Sequence, residues 1–184
     1  MPAPVTALII LSGPPCSMTI QTEKYVLFYH GPGSNWFPAP FEHYGCQFAN
    51  SEQAFVWHKA QLFRDRDKVH DILTMGADPK VAKRLGRQVR SYDEDIWSAI
   101  RYHAMLAVNI DKFSQNPDLC DTFLFAFPGK AFVEASPYDT VWGIGLAATD
   151  PRAVESASWR GQNLLGKVLD QVRQLLRTQE NARC

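Results

Sequence analysis

At 184 residues, with 46% hydrophobic and 21% charged side chains, the chain has an ordinary globular balance and can bury one full core, but not two comfortable ones. Its 19 basic and 19 acidic side chains cancel, so net charge offers no pull toward nucleic acid or an anionic membrane surface. The four cysteines (Cys16, Cys46, Cys120 and Cys184) are scattered without a C-x-x-C pair, which argues against a zinc site or a disulfide framework and fits a reducing cytoplasm.

Residues 1–22 read as an N-terminal extension. The apolar run Ala7-Leu8-Ile9-Ile10-Leu11 has no Lys or Arg before it and is short for a secretory signal, and nothing approaches the ~20 apolar residues of a membrane span. Tyr25 to Tyr29 then predicts a strand, broken by His30-Gly31-Pro32-Gly33-Ser34-Asn35. Trp36, Phe37 and Phe41 continue an extended path to a turn at Tyr44-Gly45. A helix follows from Ser51 to Phe63, with Asn50 or Ser51 as its cap and Gln53 completing a capping box. Asp78 caps another helix with Pro79 at its first position; Gly86 either ends it or admits a close neighbour. From Asp93 to Ser114 the residues Trp97, Ile100, Ala104, Val108 and Asp111/Lys112 keep helical spacing, and Asn116-Pro117 stops that helix and starts the next. Ala131 to Glu134 predicts a short strand, Ser136 to Asp139 a turn, and Val141 to Gly145 a second extended piece. The last helix runs from Gln162 to Arg177 on a stripe of Leu165, Leu169, Val172 and Leu176. The pattern is α+β and mainly helical: a single compact domain over residues 23–178 with a small β-sheet, and a short tail at 179–184.

The first helix carries the most telling pattern. At about 3.6 residues per turn, Glu52, Phe55, Val56, Lys59 and Leu62/Phe63 share one face, so a carboxylate and an amine stand two turns apart among groups that favour burial. Burying either charge alone costs several kcal/mol, so the two belong to a polar network or line a cavity for something polar. A plainer reading has Glu52 favouring the helix N-terminus electrostatically and Lys59 snorkelling to water. The basic cluster Lys80, Lys83, Arg84, Arg87 and Arg90 reads as a solvated helix face or as a nucleic-acid patch. Gly143-x-Gly145-x-x-Ala148 matches a dinucleotide fingerprint in letters only, since Thr149-Asp150-Pro151 follows where a long helix is needed. Zincin spacing, Gly-x-Ser-x-Gly and a P-loop are all missing. What remains is a set of polar positions in aromatic settings: Asn35 beside Trp36, Glu52 and Lys59, Asp139 before Trp142, and Asn163. Each has a local use as a cap or an Asx-turn; together they suit a pocket for a ribose or nucleobase.

Ser34-Asn35-Trp36-Phe37, Ser51-Glu52-x-x-Phe55-x-x-x-Lys59, Pro79-x-x-Ala82-x-x-x-Gly86-Arg87, Trp97, Lys112-Phe113, Leu119, Val133-Glu134-x-x-x-x-Asp139-x-x-Trp142-Gly143-x-Gly145 and Gly161-x-Asn163-x-Leu165-Gly166 together resemble, in order and spacing, the NADAR (YbiA-like) family, over about residues 25 to 177. One departure stands out: many members have His-Tyr where this chain has Gln53-Ala54. The resemblance implies a YbiA-like domain and an N-glycosidase that hydrolyses ribosylated exocyclic amines. The substrate it implies is ADP-ribosylated guanine in nucleic acid or a small phosphorylated ribosylamine of the riboflavin pathway. Glu52 and Lys59 are the implied catalytic residues. Glu52 would stabilise positive charge on the ribose and move protons; Lys59 would form a Schiff base with the sugar, or only pair with Glu52 or a phosphate. Asn35, Trp36, Phe55, Arg87, Trp97, Asp139, Trp142, Gly143 and Asn163 are the implied substrate contacts: amide and carboxylate groups on ribose, Trp97 or Trp142 stacked on a base, Arg87 on a phosphate. No cofactor and no metal is called for, and oligomeric state has no signature. Two other classes fit the same residues: a non-catalytic ADP-ribose-binding module, and a nucleic-acid-binding domain using the segment from Lys80 to Arg90.

Overall fold

The computed structural model describes residues 19–183; the first 18 positions, most of the expected extension, lie outside the described residues. The chain forms two compact units, one from residues up to Ser34 together with Phe127–Lys167, the other from Asn35–Ala126 and Val168 onward.

In the first unit, β1 (Ile20–Gln21), β2 (Tyr25–Phe28) and β5 (Ala131–Glu134) make a sheet in the order β1-β2-β5. β1 runs antiparallel to β2, with Ile20 opposite Leu27, and β5 runs parallel to it, with Tyr25 opposite Ala131. Thus the end of the expected extension is an edge strand. Val26, Leu27 and Phe28 are all fully buried, so the central strand shows the continuous apolar run of a strand covered on both faces instead of alternation. Leu27, Val133, Ala135, Ile144, Leu146 and Ala153 form its core.

The second extended piece expected at Val141 to Gly145 is not a strand. Its amides have other partners: Asp139 Oδ1 accepts from the N–H groups of Val141 (2.8 Å) and Trp142 (2.7 Å), Ile144 donates to the Glu134 carbonyl (2.9 Å), and Gly145 to the Asp139 carbonyl (3.1 Å). No ladder is left for a neighbour to read. Gly161 passes so close to this coil that a Cβ there would lie 2.3 Å from the Gly143 carbonyl oxygen.

The second unit is helical. β3 (Phe41–His43) and β4 (Cys46–Phe48) form a hairpin whose two-residue turn, Tyr44-Gly45, has φ of 49° and 75°, the left-handed pair that matches strand twist. α1 (Ser51–Leu62) follows, with α2 (Arg66–Thr74), α3 (Pro79–Gly86) and α4 (Glu94–Ser114) packed around it. Asn50 caps α1 by accepting from the Gln53 N–H at 3.0 Å, but the reciprocal half of the box differs: Gln53 Oε1 accepts from Ala49 N–H (2.9 Å) and its Nε2 donates to the Ile72 carbonyl (2.8 Å). Gln53, Ala54, Phe55, Val56, Trp57 and Ala60 are buried, so the helix is enclosed around most of its circumference. Asp65, Asp78 and Asp93 cap the three following helices. Gly86 admits a close neighbour, since its Cβ would stand 2.6 Å from Val56 Cγ1; an alanine there would overpack the α1–α3 contact by about 1–3 kcal/mol.

In α4, Trp97, Ala104, Val108 and Lys112 are buried as their spacing predicts, whereas Ile100 is 43% exposed because the opening turns of the helix face solvent around Trp97. α5 (Pro117–Leu119) runs into a π-helical turn over Cys120–Leu124. α6 (Leu164–Arg183) continues past the expected end at Arg177, because residues 177–183 contain no helix breaker. The fold is α+β and mainly helical, as expected. No helix of the described residues is long and apolar enough to cross a membrane.

Candidate active site

The helical unit gathers most of the expected site residues around α1. The backbone carbonyl of Asn35 accepts from the Glu52 N–H at 3.0 Å, which ties the loop carrying Asn35, Trp36 and Phe37 to the first turn of the helix. Glu52 is half-buried there, near the positive end of the helix dipole. Asn35 Oδ1 and Ser51 Oγ, both buried, have no hydrogen-bond partner among the described residues. Buried polar atoms nearly always have one, so these two are poised for a donor from outside. Trp36 is 39% exposed, with the Lys83 ammonium 5.7 Å from its ring centroid.

Two turns along, the half-buried Lys59 points its Nζ at the Tyr92 ring, 3.8 Å from the centroid, with the Trp97 ring at 5.9 Å. Phe55, one turn earlier on α1, packs on Trp97 with ring centroids 5.0 Å apart. Burial holds the Lys59 amine below its usual range, and the nearby Glu94 carboxylate opposes that shift. α1 and the loop tied to its first turn therefore present a carboxylate, a buried pair of polar atoms and a partly desolvated amine walled by aromatic rings. Gln53 and Ala54, where the sequence departs from the family pattern it resembles, are both buried.

The basic cluster divides. Arg90 is committed to two carboxylates, with Nη2 at 2.7 Å from Asp65 Oδ1 and 2.7 Å from Asp67 Oδ2, which takes it out of any phosphate-binding stripe. Arg87 is exposed at the C-terminal cap of α3.

The remaining expected contacts, Asp139, Trp142, Gly143 and Asn163, belong to the sheet unit. Asp139 uses Oδ1 to bind backbone amides, as above. Asn163, in left-handed backbone at φ 53°, spends both amide atoms on β5: Oδ1 accepts from the Glu134 N–H (2.9 Å) and Nδ2 donates to the Phe132 carbonyl (3.0 Å). The Asp139 side chain clamps the coil at Val141 and Trp142, whereas the Asn163 side chain holds β5 and its backbone N–H donates to the Gly143 carbonyl at 3.1 Å.

Three features lie outside the expected site residues. Tyr92 and Glu94 join Lys59 by the hydrogen bond from the Tyr92 hydroxyl to Glu94. Lys112 is completely buried beside Phe113 and Phe37, and burial alone pushes its amine down to about 7. It is sealed from solvent, whereas Lys59 is half-buried. The third is a carboxylate–imidazole–imidazole chain: His43 Nδ1 lies 2.5 Å from Asp111 Oδ2, and His43 Nε2 lies 2.5 Å from His58 Nε2.

The NADAR domain matches residues 24–177. The chain belongs to the NADAR family. It is 40% identical over 169 residues to "N-glycosidase R617" of Acanthamoeba polyphaga mimivirus, covering 84% of this chain and 98% of that protein. It is 38% identical over 178 residues to "Protein irg-1" of Caenorhabditis elegans, covering 87% and 83% of the two chains. Among solved structures it resembles the NMR structure of the E. coli protein YbiA, with a TM-score of 0.69 and 26% identity over 87% of this chain and 89% of that one. The YbiA fold and the NADAR match run across both units.

Proposed function

We propose that this NADAR protein is an N-glycosidase that removes ADP-ribose from the exocyclic amine of guanine in nucleic acid, with Glu52 and Lys59 as its catalytic pair. N-glycosidase chemistry is supported by the family and by the name of the mimiviral relative. The observation that carries the site assignment is α1 itself, with its half-buried carboxylate and its partly desolvated amine under aromatic rings on one helix.

A glycosylamine opens when its exocyclic nitrogen pushes a lone pair to C1 and the ring oxygen leaves with the C1–O pair and a proton, which a carboxylic acid at Glu52 supplies. The Lys59 Nζ lone pair then bonds to C1 of the resulting iminium, and the π pair returns to the base nitrogen. A proton passes from Nζ to that nitrogen, the C1–N bond breaks with its electrons leaving on the guanine amine, and the sugar stays on Lys59 as an iminium. Water adds to C1 and passes a proton to Nζ. The C1–Nζ bond breaks with its electrons returning to Nζ as the C1 hydroxyl gives its proton to the Glu52 carboxylate, so the free amine and the acid are both restored and ADP-ribose leaves as the aldehyde that recloses. Asn35 Oδ1 would accept from a ribose hydroxyl and Arg87 would meet a phosphate.

Release of free ADP-ribose from an oligonucleotide bearing ADP-ribosylated guanine, read by mass spectrometry, tests the substrate. The expected result is release of ADP-ribose and restoration of unmodified guanine. Turnover of a small phosphorylated ribosylamine with an untouched oligonucleotide would replace nucleic acid by a free nucleotide as the substrate.

A further inference from the structure

Four consecutive residues between α3 and α4 are each fixed by a different contact. Arg90 is locked to Asp65 through its backbone N–H (2.8 Å) and its guanidinium. Ser91 turns the chain at φ 55°. Asp93 caps α4. Between them Tyr92 lies with its ring edge-on to Phe63, centroids 5.4 Å apart, while its hydroxyl donates to Glu94, whose other oxygen accepts from Arg101 at 3.2 Å. The ring is thus held at one edge by the end of α1, at its hydroxyl by the first turn of α4, and covers the Lys59 amine at 3.8 Å, nearer than Trp97 at 5.9 Å.

We propose that Tyr92 is a positioning residue for the reaction: its clamped ring seals the Lys59 amine from water on one side and faces the cation that forms when a sugar is bound to that nitrogen. This rests on the reading of Lys59 as the nucleophile. A ring face removes water from an amine without offering a hydrogen-bond acceptor, so it favours a free lone pair before attack. The same face attracts a cation, and because an iminium has one N–H to hydrate where an ammonium has three, the dry ring face costs the iminium formed at Nζ less than it costs the ammonium. No new bond or redox change is involved; Tyr92 acts on the steps already written. The charged groups around the amine are Glu94 from α4, with Arg101 behind it, and Glu52 two turns away on α1. Glu94 favours the ammonium, and the Tyr92 hydroxyl occupies one of its oxygens. Removing the ring therefore frees a carboxylate as well as admitting water, and both effects push the amine up.

Tyr92 is 41% exposed, so trimming it should spare the fold, and Tyr92→Phe keeps the ring while deleting the hydroxyl. The experiment is a 13C/15N NMR titration of the lysine side chains in wild type, Tyr92→Phe and Tyr92→Ala, with Lys59 assigned by its loss in Lys59→Arg. The pH profile of kcat/KM is measured on the same proteins. Wild-type Lys59 should titrate below 10.5, Tyr92→Phe, which frees Glu94 but keeps the ring, should rise only part of the way, and Tyr92→Ala should rise furthest, with the acid limb of kcat/KM shifting equally in each. Each unit of that shift lowers the free-amine fraction and the rate about tenfold on the acid side. A Tyr92→Ala titration that overlays the wild type would overturn the inference. Full activity in Lys59→Arg would overturn the underlying nucleophile reading instead, so the two failures are separable.

Discussion

Lys59 and Lys112 show how burial alone fails to make a nucleophile. Both amines are held low by desolvation, but Lys112 is sealed from solvent while Lys59 is walled by rings and half-buried. Only an amine that is both free of its proton and reachable can attack a sugar. In the proposed mechanism the covalent step falls to one lysine: borohydride added during turnover should reduce the iminium and leave a sugar adduct that peptide mapping places on Lys59. Trapping on another lysine, or none under full turnover, would remove the Schiff base from the mechanism. Glu52, Phe55 and Lys59 were legible in the sequence because a charge on an apolar helical stripe is conspicuous. Tyr92 was not, because its relation to Lys59 depends on the turn at Ser91 and spans more than thirty residues, with no periodicity to mark it. The spacing of Gln53 from Asn50 fits a capping box, but its side chain reaches instead to Ala49 and to Ile72.

At the scale of elements, the helix termini were the most readable features, since Asn50, Asp78 and Asp93 each accept from a first-turn amide as their residue types predict. The piece at Val141 to Gly145 was misread because side-chain and carbonyl groups of the adjacent turn outcompete a strand partner for its amides. The chain from Asp111 through His43 to His58 joins α4, β3 and α1, and its members lie too far apart in sequence to announce themselves. With His43 Nδ1–H donating to Asp111, His43 Nε2 is left as an acceptor, and a neutral His58 donates to it. Burial, then the proximity of His43, lower the His58 ring from 6.5 to about 4. The sign follows directly. Above pH 6.5 the ring is neutral in both folded and unfolded chains; below it the unfolded chain takes up a proton that the folded one refuses until about pH 4, so stability falls as pH falls across that window. Thermal unfolding of wild type and His58→Gln between pH 7 and 4 should show a shallower loss in the variant. Parallel curves would mean that His58 is not held neutral.

For the whole molecule, the ordered series of short motifs identified the family where no single motif was diagnostic, and the NADAR match over residues 24–177 agrees with it. The mainly helical α+β architecture was equally legible. The division into two units was not, because each unit is assembled from segments far apart in the chain, and α6 contributes to both. Composition was silent on function. Equal numbers of basic and acidic residues conceal a local arrangement in which Arg90 is neutralised by Asp65 and Asp67 while Lys83 stands over Trp36. The proposed chemistry is therefore concentrated in α1, and the measurement that tests it most directly is ADP-ribose release from the modified oligonucleotide by wild type and by Glu52→Gln, with circular dichroism to show that both are folded. Exchange of a carboxylate for an isosteric amide removes proton transfer and charge stabilisation but keeps shape, so release should drop by about 10²–10⁴-fold. Undiminished release by the folded variant would take Glu52, and with it the α1 site, out of the reaction.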